Sequence, residues 1–349
     1  MQNQDITPIN EIKRYPPHGM EMEGRQSLKV RDDRIDSVKY WLIVLVIMIH
    51  VFNKPEFSDS AACVALWHWA YIFCMPLFVF ISGYFSRRKE KKDFLPSIWK
   101  LLEPLIIFQI IALLFYVKKS ISVGTILTPW HVLWYLLSLI YWRLMLQFIP
   151  YKILKHKKII IIGAFCLSIF SGFLPLGKIL SIQRTLTLTP FFFLGYFMKN
   201  KNIYIHDKYK PYSIVFLVVI LTALLFIPHS TTDGFYLSKP YASIYGAVVR
   251  MMIFVISVPM SIAFVNICYR TPWIARQGRM SMQYYIYHAL IIFPLMSVLD
   301  KMNIPMSFIT ATLITIGITL GIGILLRLSY IRALTNPSSL FCKLLKSYK

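Results

Sequence analysis

The chain has 349 residues, of which 57% are hydrophobic, and its mean hydropathy is +0.58. Soluble domains carry a smaller apolar fraction, so this composition predicts an integral membrane protein. The formal net charge of +23 comes from short basic clusters between apolar segments. Because these clusters form no continuous basic face, the pattern indicates membrane topology and argues against nucleic-acid binding. The five scattered cysteines lack CxxC spacing, so neither a zinc site nor a disulfide framework is indicated, and we expect no metal.

The composition divides the chain into three parts. Residues 1–30 are polar and charged and lack the apolar core and cleavage site of a signal peptide. We expect these residues to form a flexible cytoplasmic arm, followed by a first span that is not cleaved off. Residues 31–335 are predicted to form one membrane domain, and residues 336–349 a basic cytoplasmic tail.

Apolar segments recur along the whole membrane domain. A helix needs about 20 apolar residues to cross a bilayer. The sequence therefore predicts an all-α polytopic integral membrane protein with about ten transmembrane helices. The predicted spans are 38–54, 65–85, 97–117, 128–148, 158–174, 183–198, 211–228, 244–267, 281–299 and 305–328.

The segments between the spans alternate in charge. One set is strongly basic and comprises the amino-terminal arm, "SRRKEKKD" from Ser86, "YKILKHKK" from Tyr151, "KNKN" from Lys199, "YRTPWIARQGR" from Tyr269 and the tail after Arg327. The other set contains only Lys54, Lys118, Lys119, Lys178, Arg184, Lys239 and Lys301. Since basic residues accumulate on the cytoplasmic side, both termini are predicted to be cytoplasmic, in a multi-pass protein of the cytoplasmic (inner) membrane.

A histidine lies deep in the first span. His50 follows Lys39 by eleven residues, which on a helix is about 16 Å, and so it is expected near mid-membrane. An imidazole both donates and accepts hydrogen bonds and can remove a proton from a hydroxyl. Ionisable groups at this depth are costly and often functional. A hydrogen bond to a neighbouring helix would explain His50 equally well.

The second span ends in a polar segment that contains Ser82, Gly83, Arg87 and Arg88. Gly83 would allow close approach of another helix, and paired arginines are common anchors at the membrane surface. Alternatively, the two guanidinium groups would bind the phosphates of a nucleotide-containing donor.

Polar residues also lie at the predicted outer ends of two spans. An aromatic belt explains Trp134, whereas His131 could instead bind a sugar hydroxyl beside the aromatic rings. Arg184 lies where positive charge is disfavoured. It would pair with a buried acid, bind an anionic group of an acceptor such as a lipid-linked sugar diphosphate, or be an incidental surface charge.

Two further ionisable residues lie inside predicted spans. Arg250 has few candidate counter-ions, and Glu103 is the clearest of them. His288 is a second imidazole at depth, for which a structural hydrogen bond is the favoured role.

Five segments together resemble the acyltransferase 3 family of membrane O-acyltransferases, in particular the branch similar to fucose 4-O-acetylases. They occur in family order over nearly the whole chain after about residue 30. The segments are "RIDSVKYWLIVLVIMIH" from Arg34, "PLFVFISGYFSRR" from Pro76, "HVLWYLLSLIYWR" from His131, "RTLTLTPFFFLGYFMK" from Arg184 and "SMQYYIYHALII" from Ser281.

The resemblance implies transfer of an acetyl group from acetyl-CoA to a hydroxyl of a cell-surface or lipid-linked carbohydrate. The family motif of a basic residue, ten intervening residues and an essential histidine falls on Lys39 and His50. Much of the family has arginine at the first position, and lysine cannot form the same bidentate contact. On this resemblance, His50 and Lys39 are the predicted catalytic residues. Donor binding is assigned to Ser82, Arg87 and Arg88, and acceptor binding to His131, Trp134, Arg184 and His288.

A different class of protein also fits part of the pattern. A transporter or flippase for lipid-linked sugars would use buried polar residues and a basic face as well. Such proteins often contain internal repeats or broken helices, and the sequence contains no evident repeat. Within the enzyme interpretation, another acyl donor such as succinyl-CoA would suit the same fold.

Overall fold

The computed structural model describes residues 32–53, 57, 60–116, 122–199, 201, 206–227, 235, 237, 239–335 and 337–338. The predicted arm, residues 1–30, lies outside this set, as does all of the predicted tail except residues 337–338. Lys54, Lys118 and Lys119 of the predicted outer loops are also outside the described residues.

The described residues form helices joined by short turns and contain no strand, which confirms the all-α prediction. In chain order the helices are α1 (Asp33–Val51), α2 (Ala61–Phe85), α3 (Lys91–Phe115), α4 (Val123–Leu127), α5 (Trp134–Phe148), α6 (Tyr151–Leu154), α7 (Lys157–Ser171), α8 (Ile182–Phe197), α9 (Lys210–Leu224), α10 (Ile244–Ile267), α11 (Pro272–Gly278), α12 (Ser281–Lys301), α13 (Phe308–Leu325) and α14 (Ser329–Leu334). Three single 3₁₀ turns, His131–Leu133, Ile179–Ser181 and Asp207–Tyr209, immediately precede α5, α8 and α9.

Every predicted span coincides with one of these helices, but only part of the predicted number meets the requirements for crossing a membrane. Five described helices are long and apolar enough, namely α2, α3, α10, α12 and α13. Helix α1 has charged residues throughout its first two turns. Helices α5, α7, α8 and α9 have 15 or 16 residues, or roughly 23 Å of helix, against a hydrocarbon core of about 30 Å. The count of ten spans therefore stays a prediction.

Side chains at the helix starts explain several boundaries. The Ser60 hydroxyl accepts a hydrogen bond from the amide of Cys63 at the start of α2, and Thr271 caps α11 through the amide of Ile274. Each cap satisfies a main-chain N–H that has no partner inside its helix. Such caps fix where the chain turns from a loop into a helix.

Helix α2 lies at the centre of the bundle, where it packs against α1, α8, α9 and α10. Its contact with α8 is made by glycines on both helices. A Cβ atom on Gly83 would lie 1.9 Å from the carbonyl oxygen of Phe192, and one on Gly195 would lie 2.0 Å from that of Phe80. The prediction that Gly83 allows close helix approach is therefore confirmed, and both backbones meet directly.

We expect Gly83→Ala to destabilise the protein by about 1–3 kcal/mol, because the added methyl group must push two helix backbones apart. Gly163→Ala is the matched control, since a Cβ at Gly163 meets nothing within 4 Å. The measurement is thermal unfolding of the purified proteins in detergent. Equal unfolding temperatures for the two variants would contradict the direct backbone contact.

Candidate active site

A cavity of about 890 Å³ lies at the end of the bundle that the sequence predicts to be outside. Its lining combines apolar and aromatic side chains with polar and charged ones. It includes Val46, Ile49, His50, Asn53, Trp67, Tyr71, Met75, Gln109, Thr125, Thr128, Trp130, His131, Trp134, Lys178, Ser181, Arg184, Lys239, Tyr285, Phe293, Ser297 and Asp300. The volume lies in the range of small-molecule and cofactor sites.

The last turn of α1 brings His50 to this cavity. Its ring centroid lies 5.3 Å from that of His288 and 6.2 Å from that of Phe293, both on α12. His50 lines the cavity and is only partly buried. One side of the His50 ring can therefore contact a molecule in the cavity, and the other side packs against α12.

His288 lies behind His50 and is fully buried. Its Nδ1 is 3.2 Å from the carbonyl oxygen of Tyr284. A carbonyl only accepts hydrogen bonds, so Nδ1 carries a proton, and in a neutral ring Nε2 is then an acceptor. Among the described residues Nε2 has no hydrogen-bond partner. Direct contact of His288 with an acceptor, as predicted, would require the cavity to extend past His50.

The 3₁₀ turn before α5 places His131 in the cavity. The ring centroids of His131 and Phe293 are 3.9 Å apart, and His131 has a φ of 36°, which is rare for a residue other than glycine. Gln109 on α3 holds the preceding segment, since its side chain donates to the carbonyl of Thr128 at 3.0 Å and accepts from the amide of Trp130 at 2.9 Å. The position of His131 is therefore determined by contacts from α3 and α12.

The pairing of α5 with α8 brings Trp134 and Arg184 together. The hydroxyls of Ser138 and Thr185 are buried and 2.7 Å apart. Trp134 precedes Ser138 by four residues and thus shares its helix face, and Arg184 directly precedes Thr185. As a result, the Arg184 guanidinium lies 4.9 Å from the centroid of the Trp134 ring, in cation–π geometry.

Arg250 on α10 is buried, but its partner is not the predicted one. Its guanidinium donates to the carbonyl oxygens of Ser168 at 3.0 Å and Lys239 at 3.2 Å. Glu103 instead accepts two hydrogen bonds from Ser338, at 2.7 and 2.8 Å. The prediction of Glu103 as the counter-ion is therefore wrong, because main-chain carbonyls satisfy Arg250. Through the Lys239 carbonyl, Arg250 holds a segment that lines the cavity.

Lys39 lies at the predicted inner end, about three turns from His50 along α1. Its Nζ is 2.6 Å from Oδ1 of Asp36, whose other oxygen is 3.6 Å from Nε of Arg279. Nζ also lies 6.0 Å from the centroid of the Phe85 ring, at the end of α2. Lys39 is therefore near the segment that contains Arg87 and Arg88, and outside the cavity lining.

The basic segment after α2 is anchored to α5. Arg88 donates to the carbonyl oxygen of Gln147 at 2.6 Å, whereas Arg87 is exposed. Burial, and then nearby cations of which Arg143 has the largest effect, lower the pKa of Lys89 below its ordinary value. Burial is the larger cause of this shift, and the nearby cations add to it; an anion bound here would relieve the part that is due to charge.

Aromatic residues separate this basic segment from His50. The Ser82 hydroxyl is 2.6 Å from that of Tyr135, and the Tyr135 ring lies 5.3 Å from that of Tyr285. Tyr285 in turn lies 5.7 Å from His288 and donates to the carbonyl of Val132. A donor that reaches His50 from the predicted inner end must therefore pass these rings.

The structure thus divides eight of the nine predicted site residues between two places, while the ninth, His288, is buried behind His50. One set lines the cavity, namely His50, His131, Trp134 and Arg184. The other set lies towards the predicted inner end, namely Lys39, Ser82, Arg87 and Arg88.

Sequence reasoning missed Gln109 and Tyr285. Gln109 could have been noticed as an isolated amide in an apolar helix, but Tyr285 was hidden by the tyrosines on either side of it.

The part of the chain that the structure describes contains no group of three or more histidine, cysteine, aspartate or glutamate side chains that could hold a metal ion.

A helical bundle with several membrane-length helices and a histidine facing a polar cavity fits the class of membrane acyltransferases. The sequence model of the acyltransferase 3 family, described as an acyltransferase domain, matches residues 32–328, and the chain belongs to this family. No curated protein and no solved structure matches the chain.

Proposed function

We propose that the protein is a membrane O-acetyltransferase that moves an acetyl group from acetyl-CoA to a hydroxyl of a cell-surface or lipid-linked carbohydrate, as the branch similar to fucose 4-O-acetylases would. The observation that carries the proposal is His50, an imidazole that faces a large cavity in a chain of an acyltransferase family. The cavity supplies room for an acceptor beside that imidazole.

The lining of the cavity suits a carbohydrate. Trp130, Trp134 and Tyr71 provide ring faces for sugar C–H groups, while Asn53 and Ser297 provide hydrogen-bonding groups. Sites for small ligands characteristically combine an apolar wall with a few placed polar groups. The same lining would hold a hydroxyl close to His50.

Acetyl-CoA would bind at the predicted inner end. Its phosphates would lie against Arg87, Arg88 and Lys89, where positive charge is concentrated. The pantetheine chain would then extend along Ser82 and Tyr135 towards His50. The hydrogen bond between these two hydroxyls would have to open for the thioester to pass.

Two chemical routes fit this arrangement. In the first, His50 takes the proton of the acceptor hydroxyl while the hydroxyl oxygen attacks the thioester carbonyl. The C–O bond then forms, the C–S bond breaks, and the CoA thiolate leaves and takes up a proton. In the second, a nitrogen of His50 attacks the thioester carbonyl, the C–S bond breaks, and CoA leaves as the thiol with the proton that the ring gives up. The acceptor hydroxyl then attacks the acetyl-imidazole, the C–N bond breaks, and the imidazole takes up the hydroxyl proton. The separation of the basic segment from the cavity supports the second route.

Free thiol release tests the proposal. Purified protein is mixed with acetyl-CoA, with and without a carbohydrate acceptor fraction from membranes, and the thiol is followed with a chromogenic disulfide. We expect acceptor-dependent thiol release, with labelled acetyl recovered on carbohydrate. Succinyl-CoA in parallel distinguishes the donor. Movement of lipid-linked sugar across the bilayer of vesicles that contain the protein, without any thiol release, would favour a transporter or flippase.

A further inference from the structure

Among the described residues, the basic side chains of the predicted outer side are concentrated at the cavity. Lys178, Arg184 and Lys239 all line it, and they are three of the four outer-side basic residues that the structure describes. Lys301 is the fourth and does not line the cavity. Basic residues are rare on this side of membrane proteins, so their convergence on one cavity calls for a negatively charged occupant.

The backbone that carries these cations is held in an uncommon conformation. Gly177, Leu180 and Ser181 have φ values of 63°, 52° and 55°, and Leu237 has a φ of 50°. For residues other than glycine such values are uncommon and costly, and they cluster at functional sites such as ligand clamps. The segments around Lys178 and Lys239 are therefore built to a particular shape.

Two further contacts position the cations. Arg184 lies against the Trp134 ring, and the carbonyl of Lys239 accepts from buried Arg250. Asp300 is the acidic residue among the lining residues that the structure describes. Among the described lining residues, the three basic side chains outnumber this one carboxylate, and a group with two negative charges can bind more than one of them at once. A carboxylate carries one negative charge, whereas a diphosphate diester carries two.

We propose that Lys178, Arg184 and Lys239 form a subsite for a diphosphate group, so that the acceptor is a sugar linked through a diphosphate. This inference rests on the proposed function for the identity of the reacting hydroxyl, but the anion site itself does not. The diphosphate would sit at the cation cluster and direct the attached sugar along the aromatic wall towards His50.

Binding of inorganic pyrophosphate to the purified protein, without any acyl donor, tests the subsite. We expect binding by wild type that weakens as salt is raised, and a loss of roughly tenfold in affinity in Arg184→Gln and in Lys178→Gln. Lys301→Gln is the matched control, with the same charge removed on the same side, and should bind like wild type. Thermal unfolding without ligand checks that the variants are folded.

Three outcomes would overturn the subsite: absence of pyrophosphate binding to wild type, equal weakening in Lys301→Gln, or tighter binding of glucuronate than of pyrophosphate. The last would assign the cations to an acidic sugar. Acyl transfer that persists without pyrophosphate binding would remove the subsite and leave the proposed function. Pyrophosphate binding without acyl transfer would leave the subsite and remove the proposed function.

Discussion

Purified His50→Ala protein should transfer acetyl groups roughly a thousandfold more slowly than wild type, because the imidazole is expected to move the proton or carry the acyl group in both routes. The His50 side chain faces the cavity and is not part of the buried core, so the variant should keep its fold. The measurement is labelled-acetyl transfer from acetyl-CoA at matched protein concentration. His156→Ala serves as the control, since His156 is exposed and lies in the turn before α7.

Unchanged transfer by His50→Ala would remove this residue from the mechanism and refute both routes. The routes are separated by omitting the acceptor. Incubation of wild type with labelled acetyl-CoA alone should leave label on His50 if the acetyl-imidazole forms, and mass spectrometry of the peptide would locate it. With a general base only, the protein should stay unlabelled.

Substitution of His288 should lower kcat by roughly a hundredfold with little change in KM, because a small displacement of a reacting group has an effect of this size. His288 packs against His50 from outside the cavity, with ring centroids 5.3 Å apart, and we expect it to act as a positioning residue. The Nδ1–H bond to the Tyr284 carbonyl fixes its ring, which leaves Nε2 as an acceptor. His288→Ala removes both features.

Two conservative variants make this prediction sharper. His288→Asn keeps a donor near Nδ1, and His288→Gln keeps a polar atom near Nε2. Nε2 has no hydrogen-bond partner among the described residues, so it would position His50 only by bonding to it during turnover. In that case His288→Gln should recover more activity than His288→Asn at the same KM for acetyl-CoA. Equal losses in all three variants, together with lowered unfolding temperatures, would show that His288 has only a packing role.

The helices were the most predictable part of the molecule. Apolar segments bounded by charged residues identify helices, and each of the ten predicted segments coincides with one. The number that crosses a membrane was less predictable, because helices such as α5 and α8 begin in 3₁₀ turns and have 15 or 16 residues. Turn geometry of this kind depends on tertiary contacts, for example the hold of Gln109 on the segment before His131.

The site was predictable only where a residue was unusual for its depth. His50 and Arg184 stood out because charged or titratable groups are rare at those places. Lys178 and Lys239 lie in loops, where lysine is ordinary, and only the fold brings them to one cavity. Arg250 shows the opposite problem, since its partners are carbonyl oxygens, which every residue has and which no sequence pattern reveals.

The direct contact of Gly83 with α8 links the two ends of the protein mechanically. With main chain against main chain and no side chain to repack, α2 and α8 are expected to move as a rigid body. The pair carries Arg184 at one end and leads into Arg87 at the other. Under the proposed function, in which the donor binds near Arg87 and the acceptor near Arg184, occupancy of one end should therefore alter affinity at the other, and the reverse by the same factor. Such reciprocity would let the protein hold its acyl group back until both substrates are present.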